Sequence, residues 1–125
     1  MNKSLGNLEV YRLAVGLADK GWDIYTSLPK TLQFSIGDQF IRAVDSIGAN
    51  IAEGYGRFHY KDKINFYYHA RGSLWECKHW CMLLYRRELI DKSIYDSLLQ
   101  TLESCGRKLN ALIQTTGRRT VPNDQ

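Results

Sequence analysis

Apolar residues recur at alternating intervals of four and three along almost the whole chain, and proline interrupts that rhythm only at Pro29 and Pro122. In the first segment Val10, Ala14, Leu17, Gly21, Ile24 and Leu28 fall on one line. An α-helix turns once in about 3.6 residues, so this spacing gathers them on one face and predicts a helix packed against neighbours. Pro29 ends the segment, because the residue before a proline is pushed out of the helical region. A second segment carries Ile36, Phe40, Ala43, Ile47, Asn50 or Ile51, and Gly54. A third, from about Asp62 to Glu88, carries Tyr67, Ala70, Leu74, Cys77, Cys81 and Leu84. A fourth, from about Lys92 to Thr116, carries Tyr95, Leu98, Leu102, Cys105, Leu109 and Leu112. Ser35 is the expected cap of the second helix, with Asp62 and Asp91 at the starts of the third and fourth.

Nothing reads as a strand, since the run Phe66-Tyr67-Tyr68 lies inside the third helical pattern. Short links between four helices make consecutive ones antiparallel neighbours. The expected fold is therefore all-α, an antiparallel up-down-up-down four-helix bundle. Residues 1–117 form that single domain, and residues 118–125, which lack an apolar pattern, form a flexible C-terminal tail. With 125 residues, 44% hydrophobic and 24% charged, the chain can bury a core without disulfides or metal. No apolar run approaches the ~20 residues needed to span a bilayer, which predicts a soluble, cytoplasmic protein with no membrane partner. Cys77, Cys81 and Cys105 are odd in number and lack framework spacing, as expected of reduced thiols.

Several aromatics fall beside the apolar lines: Trp22, Phe66, Tyr68, Trp75, Trp80 and Tyr85. Aromatic side chains are enriched at subunit interfaces, so this surplus predicts self-association. A wider core would also absorb part of it.

Few residues of the chain are spaced for chemistry. Glu76 and His79 have the Glu-x-x-His spacing of di-iron bundles, but that site needs a second copy of the motif, which the chain lacks. The three cysteines sit at core positions, where a thiol acts as a small hydrophobe. His59, His69 and His79 recur every ten residues, a spacing that does not align them on one helix face. No catalytic residue, metal ligand or cofactor site is expected.

Charge is more informative. The net charge is +4, with −1 over residues 1–53 and +5 over residues 54–125. Arg57, Lys61 and Lys63 cluster with Phe58, His59 and Tyr60 at the second-to-third helix connection. Cations beside rings able to stack on bases suit a single-strand RNA surface. Arg71 and Lys78 extend the set along the third helix, Arg86-Arg87 closes that helix, and Arg107-Lys108 and Arg118-Arg119 follow. Solvated charge at helix ends is the competing reading.

The polar residues Gln39, Arg42, Ser46, Asn50 and Glu53 stand among apolar ones before Gly54, Gly56 and Arg57, and Gly72-Ser73 and Glu76 follow downstream. Glu53 and Arg57, four apart, are placed to pair. Gly54 and Gly56 admit left-handed or closely packed backbone, and Gly72 and Ser73 would let another helix approach. These positions read as a structural motif that specifies packing. Together with Leu8-Glu9-Val10-Tyr11, they make the chain resemble the four-helix-bundle proteins encoded in intervening sequences of bacterial 23S ribosomal RNA genes. Ile41 and Gly48 depart from the family's usual residues. The resemblance implies non-enzymatic bundles that assemble as homo-oligomers, five-membered barrel-like rings. A related branch, accessory proteins of diversity-generating retroelements, implies RNA or DNA and a reverse transcriptase as partners. The expected function is nucleic-acid binding through basic surfaces, with a protein–protein adaptor as the alternative.

Overall fold

The computed structural model describes residues 5–119, and these contain helices and no strand. After a 3₁₀ turn at Leu5–Asn7 come α1 (Glu9–Ser27), α2 (Lys30–Gln33), α3 (Ile36–Tyr55), α4 (Tyr60–Arg86) and α5 (Lys92–Arg118). Four of the helices are long and pack as a bundle: α3 lies between α1 and α4, and α5 joins α4 back to α1. Side chains bridge α1 and α5 at two levels, with Lys108 3.1 Å from Glu9, and Lys20 donating to Ser97 and Thr101. Arg71 on α4 donates to Asn110 on α5.

The core is built from the expected lines. Every residue named above for α1 and α4 is buried. On α3 the buried choice is Ile51, while Asn50 is half-buried, and Gly37 and Val44 widen the face. On α5 the line shifts near its end: Ile113 and Thr116 are buried, whereas Tyr95 and Leu112 are half-buried. A strict alternation of threes and fours drifts around a straight helix, and a step of four after Leu109 restores the inward direction.

Three local expectations are corrected. The extra helix α2, a single turn after Pro29, precedes α3. Ser35 does not cap α3; its hydroxyl turns back to the carbonyls of Thr31 and Leu32. Helix α4 begins at Tyr60, which puts Asp62 in its first turn, where a carboxylate favours the positive end of the helix dipole. Asp91 does cap α5, accepting from the Ile94 amide at 2.9 Å. Helix α5 continues to Arg118, the first residue assigned to the expected tail, and residues 120–125 of that tail lie outside the described residues.

The two turns joining α3, α4 and α5 are closed by different means. After α4 the chain makes a Schellman closure: Leu89 N–H donates to Leu84 C=O and Glu88 N–H to Tyr85 C=O. Glu88 takes the left-handed conformation this requires, at φ 60°. The α3–α4 turn uses no left-handed glycine. Gly56 has φ −80°, and a Cβ there would make ordinary contacts. Gly54 is required for space, since a Cβ on it would stand 2.7 Å from Tyr67 Cε1 and 3.0 Å from the Lys63 carbonyl oxygen. Gly72 is exposed with open space above it, so no helix among the described residues uses the approach it offers.

Candidate nucleic-acid interface

Helical register sorts the outward residues into four faces. Residues one position after each buried line of α1 lean toward α3: Tyr11, Val15, Ala18, Trp22 and Tyr25. Of these, Tyr11 packs beside Gly48 of α3, together with Ala14 of the buried line. Trp22 is 56% exposed and stacks on Tyr25 at 5.4 Å.

The corresponding residues of α4 are Tyr68, Arg71, Trp75, Lys78, Met82 and Tyr85, on the side toward α5. Trp75 is 63% exposed. Arg71 lies over the Tyr68 ring at 4.8 Å, and Lys78 over Trp75 at 4.4 Å. Such cation–ring contacts are worth ~0.5–1 kcal/mol at exposed sites and hold the cations flat along the helix. These two expected phosphate contacts are therefore embedded in an aromatic stripe, away from the α3–α4 turn.

The polar motif occupies a third face. Gln39, Arg42 and Glu53 are exposed, and Ser46 and Asn50 half-buried, one position before the buried line of α3. Their bonds are local: Arg42 to Asp38 at 2.9 Å, Ser46 to the Arg42 carbonyl at 2.7 Å, and Asn50 to the Ser46 carbonyl at 2.9 Å. Ser73 is half-buried and Glu76 exposed on α4, and the Glu76 carboxylate accepts from the Trp80 indole. Arg42, Ser46, Asn50 and Glu76 thus bond along their own helices. The fourth face, between α5 and α1, carries the Lys20 hydroxyl contacts and the Glu9–Lys108 pair.

The α3–α4 turn brings together the remaining candidates. Arg57 pairs with Glu53 at 2.8 Å, the i, i+4 pair expected, and its guanidinium covers Phe66 at 4.7 Å. Phe58 is 88% exposed and touches the His59 ring edge-on at 5.0 Å. Lys61 is exposed. Lys63 turns inward instead. Its ammonium donates to the Tyr55 carbonyl at 2.7 Å and approaches the Gly54 carbonyl at 3.4 Å, sealing the last turn of α3. Burial pushes its pKa down, opposed by Tyr60.

Sequence reasoning did not connect this turn with the end of α5. There Arg119 reaches the Tyr60 ring at 5.9 Å, and Gly117 packs near Ile64. A separation of almost sixty residues hides that proximity, although antiparallel helices of matched length imply that the two ends meet.

The three cysteines are buried and free. Burial pushes the thiols of Cys81 and Cys105 up to about 12 and about 11, and drives Cys77 higher still with its thiol neighbours and Glu76 adding to the effect. A thiol so disfavoured as thiolate is a poor nucleophile and a poor metal ligand. Among the described residues no three His, Cys, Asp or Glu side chains gather as a metal site, and no helix is long and apolar enough to cross a membrane.

A family described as 23S rRNA-intervening sequence protein matches residues 6–111. No curated protein matches the chain. Among solved structures, a crystal structure of a protein of unknown function from the S23 ribosomal protein family of Bacteroides thetaiotaomicron superposes with a TM-score of 0.79. It is 28% identical, over 83% of this chain and 97% of that one.

Proposed function

The chain belongs to the 23S rRNA-intervening sequence protein family, and from that premise we propose a non-enzymatic, self-associating helical bundle that binds nucleic acid, RNA first, through its basic surface. The α3–α4 turn carries the reading. Arg57 and Lys61 flank an almost fully exposed Phe58 in the half of the chain that holds the positive excess. Backbone electrostatics supply most of such binding, with little sequence readout.

Assembly rests on two unlike outer faces on opposite sides of the bundle. The contacts of Glu9 with Lys108, and of Lys20 with Ser97 and Thr101, support an antiparallel up-and-down order. In that order the Trp22 face and the Trp75 face point away from each other. By register the first takes in Asp45, one position after Val44, which packs by Gly21 of α1; the second includes Arg71, Lys78 and Arg107 against the carboxylate of Glu103. Two different, charge-complementary faces make a heterologous contact, which closes into a ring when the rotation allows, and a pentamer is the ring the resemblance implies. A ring repeats each basic turn and strengthens weak contacts through multivalency.

Light scattering should return a mass of several protomers. Retention on RNA should be strong at low salt and fall steeply as salt rises. A chain that never retains RNA at low ionic strength defeats the nucleic-acid reading. The exposed Trp75 then favours the second one, an adaptor that docks a protein such as the reverse transcriptase of a diversity-generating retroelement; co-purification from native cells tests it.

A further inference from the structure

Both ends of the bundle carry cations and an exposed ring, but the ends differ in what neutralises the charge. At the end with the α4–α5 turn, Lys92 is paired with Asp96 at 2.7 Å, and Glu88 and Asp91 sit in the turn itself. At the other end Arg57 is paired with Glu53 and Lys63 is bound to carbonyls. Lys61, Arg118 and Arg119 have no carboxylate partner among the described residues; Arg86 and Arg87 at the opposite end have none either, but they share their turn with Glu88 and Asp91. Asp62 is the nearby carboxylate, in the first turn of α4. His59 leaves the first amides of α4 without a side-chain cap, so the positive end of that helix also faces this surface.

The rings there have unequal roles. Tyr60 is half-buried with Arg119 over it, and Phe66 lies under Arg57. Phe58 stands outside the helices, 88% exposed, with its ring against that of His59. An exposed ring surrounded by unneutralised cations suits a base with its flanking phosphates. A duplex hides its base faces, so only an unpaired strand can use such a ring.

We propose that the α3–α4 turn and the last turn of α5 form one composite site for single-stranded nucleic acid, with Phe58 stacking on a base and Lys61, Arg118 and Arg119 holding phosphates. The proposal rests on the nucleic-acid reading above and narrows it to one end of the bundle and one class of strand. It moves Arg118-Arg119 from tail to site, and it leaves Tyr60 as a support for Arg119.

The test is fluorescence anisotropy of the full-length protein with labelled oligouridine, oligothymidine and an RNA duplex, over a range of salt, with helical content checked by circular dichroism. The unpaired strands should bind more tightly than the duplex, and the tighter of the two identifies RNA or DNA as the ligand. Phe58→Ala should weaken binding about 5- to 150-fold, the fold-change equivalent of one lost base stack. Arg118→Gln with Arg119→Gln should reduce the slope of log affinity against log salt by about 1.4, two phosphate contacts on a single strand. The matched changes at the opposite end, Phe34→Ala and Arg86→Gln with Arg87→Gln, should leave both quantities near wild type. All these side chains are exposed, so the variants keep the fold. If the opposite-end variants lose binding instead, or if the duplex binds equally well and Phe58→Ala changes nothing, this site is wrong while the general reading stands. If the wild type binds none of the three probes, the general reading itself has failed.

Discussion

Helix α4 carries two lines of identical spacing, offset by one residue. Tyr67, Ala70, Leu74, Cys77, Cys81 and Leu84 are sealed in the core, and Tyr68, Arg71, Trp75, Lys78, Met82 and Tyr85 stand outside. The same alternation of threes and fours therefore marks two faces, and periodicity alone cannot rank them. Composition does: apart from Tyr67 the inner line holds small or aliphatic side chains and neutral thiols and no charge, while the outer one interleaves cations with rings. An inner line of this kind is what a bundle needs to fold, and an outer one gives it something to meet.

Substitutions should separate the two lines. Tyr67→Ala should cost the most, about 3–5 kcal/mol, because a fully buried ring leaves a cavity; urea unfolding measures it. Alkaline pH acts on the same line and on Cys105 of α5, which shares its core. Tyr67 is pushed up to about 12, chiefly by burial and then by Tyr55, while Cys81 reaches about 12 and Cys105 about 11. The folded chain keeps protons that the unfolded chain releases near the ordinary thiol value of 9.0 and tyrosine value of 10.0. This stability is complete below pH 9 and drains away as pH climbs through 11 to 12. A urea midpoint that stays flat across that window would contradict the burial of these groups.

Gly54→Ala comes next, at about 1–3 kcal/mol, since the new methyl presses on Tyr67 and on the Lys63 backbone; a thermal melt that matches wild type would show that the turn can yield. On the outer line Trp75→Ala should change the stability of a single chain by no more than about 1 kcal/mol, the value of its contact with Lys78, while shifting the protein to smaller species on a sizing column. Loss of stability without loss of assembly would reverse the roles given to the two lines. The smallest effect belongs to Lys78→Met, about 0.5 kcal/mol in unfolding experiments, because the cation–ring contact is lost while the methionine still covers Trp75.

Much of this was legible in the residues. The inner lines of α1 and α4 follow from spacing alone, because a helix face is a property of local geometry. The Asp91 cap and the Glu53–Arg57 pair follow for the same reason. What escaped depends on neighbours or on brevity. Helix α2 is one turn long, too short for any period to show. Lys63 reads as a surface cation, but it lies where the open carbonyls of α3 attract its ammonium. Of the paired glycines, Gly54 alone is constrained, and only the position of Tyr67 reveals which. The candidate site was half visible: Arg57 to Lys61 are contiguous, while Arg118 and Arg119 join them only through the return of α5.

The Gly54–Lys63–Tyr67 closure bears on the order in which the protein takes shape. Its partners lie close together along the chain, and α3 and α4 share the most extensive packing in the bundle. Bringing them together therefore closes a short loop at small entropic cost. The α3–α4 hairpin is the natural nucleus for folding, with α1 and α5 joining later across longer loops. Under native conditions its amides should exchange with deuterium last, and those along the α1–α5 seam should open first.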